Sequence, residues 1–77
     1  MAQFAVECVR DPERGEIPVR FGSHDAMREV VELMDRWEGD AETYYRVRTD
    51  DTSIYILRQD RANGGWQIHF FRSGGED

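Results

Sequence analysis

Few side chains in this 77-residue chain are of types that do chemistry. Cysteine and histidine, the usual zinc ligands, are limited to Cys8, His24 and His69. One cysteine and two distant histidines match no familiar zinc spacing, and a lone cysteine closes no internal disulfide. All ten basic residues are arginine. Without lysine there is no Schiff base, no phosphate-loop lysine and no lysine general base. The acidic pairs Asp50–Asp51 and Asp40/Glu42 lack the ligand order of a calcium loop, and the first already suits a turn. No nucleophile elbow, zinc-protease or dinucleotide fingerprint occurs.

Cys8 falls at an apolar position and is expected to be a small core residue, because reactive thiols need exposed, electropositive surroundings. His24 is expected beside a helix start, capping or solvated. His69 is expected half-exposed among aromatics, where it could accept a proton or make a pH-sensitive contact. The chain is therefore expected to be non-catalytic, with neither cofactor nor metal.

Residues suited to binding cluster instead in "YYRVR", Tyr44 to Arg48, where two tyrosines and two arginines share five positions. The elements around them decide which way they point. "FAVECV" and "IPVRF" alternate apolar and polar residues at period two, the pattern of half-buried strands. "DPERG" between them has type I turn chemistry. Setting Cys8 opposite Ile17, Val6 opposite Val19 and Phe4 opposite Phe21 puts all six on one face. Pro18 cannot donate to a ladder, so the second strand is expected at an edge.

"SHDAMREVVELMDRWEG" switches to helical spacing. Ser23 suits an N-cap, and Gly39 suits the left-handed residue that ends a helix. Met27, Val30, Val31, Met34 and Trp37 would form one apolar stripe. "ETYYRVR", "SIYILRQ" and "WQIHFFR" follow as strands. A two- or four-residue loop centred on Asp50 and Asp51 pairs Val47 with Ile54 and Tyr45 with Ile56. An odd-length loop at Asn63-Gly64 aligns Ile56 with Phe70.

The expected fold class is α+β: a single domain over 1–72, β-β-α-β-β-β. One helix packs on one face of a five-stranded, mainly antiparallel sheet. Strand order 2-1-3-4-5 or 2-1-5-4-3 fits equally, and 73–77 is expected to be a flexible polar tail.

In that register Tyr45 and Val47 face the helix, while the uncovered side carries Tyr44, Arg46, Tyr55, Leu57, His69 and Phe71. Arg20 and Arg48 lie at its rim. Tyrosine and arginine are enriched at interaction surfaces because each joins a large contact area to a directional polar group. The expected function is a small protein-interaction module, pairing with another protein or with a second copy of itself. The alternative is single-stranded nucleic-acid binding on the same face. That alternative meets a net charge of −6 and lacks an aromatic-and-glycine RNA-binding string. No window approaches a membrane span, and "MAQFAVECVR" carries Glu7 within its apolar run, unlike a signal peptide. A cytoplasmic location is expected, with no membrane partner.

Overall fold

Every regular element among the described residues is a strand, including the stretch whose apolar spacing resembles a helix. The computed structural model describes residues 4–23 and 25–73. Its strands are β1 (Phe4–Asp11), β2 (Gly15–Ser23), β3 (Ala26–Glu38), β4 (Glu42–Thr49), β5 (Ile54–Asp60) and β6 (Trp66–Arg72). There is no helix among the described residues. Each strand pairs antiparallel with the next, in the order β1-β2-β3-β4-β5-β6. This meander curls into a half-barrel: β1 comes near β6, yet no ladder joins them. The fold is all-β with six strands, which overturns the α+β expectation of one helix on five strands and both expected strand orders.

The expected helix is β3, and two β-bulges explain its misleading period. Its ladder with β4 slips between Val30 and Glu32 and again between Leu33 and Asp35. Each bulge inserts an extra residue, so side chains on the core side recur at Val30, Leu33 and Arg36 rather than at every second position. Val30 and Leu33 pack against the core, and the Arg36 guanidinium stands 5.6 Å above the Tyr45 ring. A bulged strand thus mimics the spacing of three that normally marks a helix face. β3 is also where the sheet turns its corner. Ala26–Glu29 pair with β2, whereas Val30–Glu38 pair with β4.

Pro18 is interior, not at an edge. It lies opposite Cys8 beside a bulge in the β1–β2 ladder, and its side chain is fully buried. The β2–β3 ladder covers only Arg20–Ser23 of β2, so the missing N–H of Pro18 breaks no bond there. Gly22 holds φ at 142°, and a Cβ on it would overlap the Ala26 carbonyl oxygen. Only glycine fits that close approach.

The core consists of Phe21, Tyr45, Val47, Tyr55 and Leu57, with Val6, Val30, Leu33 and Trp66 packed against it. Phe21 meets Tyr55 edge-on at 4.8 Å, and Tyr55 meets Phe71 at 4.8 Å. Fully enclosed side chains such as Val47 and Leu57 each contribute about 1.5–3 kcal/mol by leaving water. His24 lies outside the described residues, as does the expected tail beyond Ser73.

Candidate functional site

One turn determines which side chains face outward. Thr49 N–H donates to the Ser53 carbonyl at 3.0 Å, and Thr52 adopts a left-handed φ of 66°. That conformation turns Asp50–Thr52 into a three-residue loop, the type that ends in a left-handed residue. The connection is therefore one residue out of step with an even loop. Asp51 holds it in place: its Oδ1 accepts from Thr49 Oγ1 at 2.6 Å and from Ser53 N–H at 3.1 Å. Those two hydrogen bonds, from the Thr49 hydroxyl first, keep the Asp51 carboxyl below its ordinary value, and Arg28 at 3.2 Å assists.

The resulting register sets Val47 opposite Tyr55 and Tyr45 opposite Leu57. Because strand faces alternate, this slip moves all of β5 to the other side of the sheet. Tyr55 is 6% exposed and Leu57 fully buried, so neither belongs to a docking surface. Burial accordingly pushes the Tyr55 phenol above its ordinary value. Phe71 lies opposite Tyr55 on the concave side and is exposed there. Arg20 sits between Glu7 at 3.4 Å and Glu29 at 3.2 Å. Tyr44, Arg46, Arg48 and His69 do share the convex face of β3–β6.

That face is organised in three rows crossing the four strands. The first runs from Glu32 through Arg48 and Ile54 to Arg72; the second runs from Asp35 through Arg46 and Ile56 to Phe70. A third passes from Trp37 through Tyr44 and Arg58 to Gln67. Trp37 stacks on Tyr44 with ring centroids 5.4 Å apart and planes 8° apart. His69, the extra residue of a bulge in β6, meets Tyr44 edge-on at 5.2 Å. Trp37 is 39% exposed and Phe70 47%. Arg48 pairs with Glu32, and Arg58 donates to Gln67. Arg46 and Arg72 have no acidic partner within ion-pair distance among the described residues, and Asp35 has no basic one.

Trp37, Ile54, Ile56 and Phe70 are members that sequence reasoning assigned elsewhere. Trp37 was expected in the apolar stripe of a helix, and Ile54, Ile56 and Phe70 in the core. The signal that could have found Ile56 and Phe70 was "SIYILRQ" itself, which alternates equally well in either phase.

A second concavity of about 510 Å³ lies at the open end of the half-barrel, between Arg10 and Glu16 on one side and Arg36, Glu38 and Tyr45 on the other. Its charges are largely spent on each other. Arg36 pairs with Glu38 at 3.3 Å. Arg61 donates to Glu38 at 2.9 Å and to the carbonyls of Gly39, Asp40 and Glu42 at 2.9, 2.6 and 2.6 Å. Arg61 thus serves as a structural tie rather than a free binding group. Cys8 lies part-buried near Glu16; burial, then the Glu16 charge, pushes its thiol up and away from the reactive thiolate.

No helix among the described residues is long and apolar enough to cross a membrane. No family model matches the chain, and no curated protein or solved structure matches it either.

Proposed function

We propose that this protein is a small, non-catalytic interaction module of the cytoplasm that docks a protein partner on the convex face of β3–β6. The observation that carries the reading is the Trp37–Tyr44–His69 ring series, left open to solvent beside Phe70 and Ile56. Aromatic and aliphatic groups at the centre of a face, with arginines among them, form the composition of an interface core. Drying a few hundred Å² there contributes several kcal/mol at about 25 cal/mol per Å². For a domain this small, that rivals the whole folding stability, about 5 kcal/mol at the low end. Arg46, which makes no ion pair among the described residues, offers a guanidinium to a carboxylate or carbonyl of the partner. The unpaired Cys8 fits a reducing compartment.

A nucleic-acid strand is the weaker occupant. Trp37 and Tyr44 already cover one another's faces, and the chain carries a net charge of −6. The test is affinity capture from host extract with wild-type protein and with Phe70→Asp, whose site is half-exposed and tolerates a charge. A protein retained by the wild type and lost by the variant is expected. Identical capture by both, or none by either together with no self-association, would remove the convex face as a docking surface.

A further inference from the structure

We infer that the occupant of the convex face is a second copy of this chain, related by a two-fold axis running parallel to the strands. The inference rests on the docking role given to that face and adds the partner's identity and orientation. It is carried by the distribution of charge along the three rows. Within them the carboxylates, Glu32 and Asp35, are confined to β3, whereas the arginines lie on β4 (Arg46 and Arg48), β5 (Arg58) and β6 (Arg72). Three inter-strand steps, about 14 Å in all, separate Glu32 from Arg72 along the first row.

A two-fold axis along the strands lays β3 of one copy over β6 of the other, and β4 over β5. Every row then faces its own reverse. Glu32 comes opposite the second copy's Arg72, and Tyr44 opposite the second copy's Arg58, a pairing of ring and guanidinium. Arg46 comes to lie over the second copy's Ile56, its stem against apolar surface. An axis across the strands would instead lay β3 on β3 with the rows in reverse order, setting Asp35 against its own copy and Glu32 against the second copy's Trp37. Only the first arrangement makes the face self-complementary, as an isologous contact requires. Arg72 has no ionic partner within the protomer among the described residues, so it is available to the second copy's Glu32, whose carboxylate also pairs with Arg48.

Size sets the strength. Four strands about 4.8 Å apart and seven residues long cover a planar footprint of about 450 Å². That is smaller than the roughly 800 Å² per partner of a standard stable interface, and the curl of the half-barrel narrows it further. The dimer is therefore weak and reversible, and forms at high protein concentration.

Sedimentation equilibrium over a concentration series tests this. Wild-type protein is expected to show a mass that climbs from monomer toward dimer as concentration rises. Two charge-reversed variants follow: Glu32→Arg with Asp35→Arg, and Arg58→Glu with Arg72→Glu. Each alone is expected to associate at least tenfold more weakly, because its margins now carry like charges. An equimolar mixture is expected to recover the dimer, since reversed acidic margins meet reversed basic ones. Far-UV circular dichroism confirms that each variant is folded. A wild type that stays monomeric at millimolar concentration, variants that dimerise as the wild type does, or folded variants whose mixture stays monomeric would each overturn the inference. If the wild type is monomeric but Phe70→Asp still loses a captured protein, the second copy is excluded and the docking face stands. If neither happens, both fall.

Discussion

Leu57 is enclosed between Tyr45 on β4 and Ile68 on β6, with no accessible surface of its own. Leu57→Ala removes three buried carbons and leaves a void that a rigid sheet fills poorly. A loss of about 2–5 kcal/mol is expected, seen as a lower urea midpoint with an unchanged slope. A loss under about 1 kcal/mol would mean the side chain is not where the register puts it. Asp51 acts through protonation. Its carboxyl in the folded protein lies below its ordinary value of 3.8, so its contribution to stability is fully present above that value. The contribution disappears as pH falls through the depressed folded value, because the unfolded chain then binds the proton first. Asp51→Asn is expected to flatten the acid limb of the stability curve below about pH 4. Denaturation midpoints measured at a series of pH values check this, and parallel curves for the two proteins would contradict it.

At the scale of the element, β3 depends on its bulges. Met34 is the extra residue of the second bulge, so deleting it would make Leu33–Val47 and Asp35–Arg46 consecutive pairs of a regular ladder and leave every later residue on its present face. The Trp37–Tyr44 stack and the Arg36–Tyr45 contact are expected to survive. A cooperative thermal transition is expected by circular dichroism, and its loss would contradict the bulged ladder. Five strand segments were legible from alternation alone, because half-buried strands must alternate. β3 was not, because its bulges convert a period of two into spacings of three, and Gly39 and Ser23 happen to suit helix ends. The β4–β5 turn hid the other half of the site. A left-handed residue after Asp51 is ordinarily glycine or asparagine, and the sequence has Thr52. The phase of β5 therefore came out one residue wrong, taking Tyr55 and Leu57 with it. Tyr44, Arg46 and Arg48 were legible as neighbours because their placement rests on β4 alone; His69 reaches their face because the bulge in β6, which the sequence does not announce, offsets the misplaced phase of β5.

At the scale of the molecule, every ladder joins strands adjacent in sequence, so each hairpin can form before the next. The ends of the half-barrel are secured differently. Phe4, Phe21, Tyr55 and Phe71 form a continuous run of rings at one end, and the single Arg61 side chain binds the β3–β4 corner to the β5–β6 turn at the other. A surface interaction on β3–β6 would therefore engage the part of the sheet that is tied on both sides.

The short β2–β3 ladder, four residue pairs long, has a mechanical consequence. Among the described residues no backbone bond seals β1 to β6, so the first hairpin is a flap on a narrow hinge, held shut by side-chain packing. Lifting it would bare Phe21 and Val6 while leaving the convex surface of the other strands undisturbed, so the molecule can breathe on one side and hold a partner on the other.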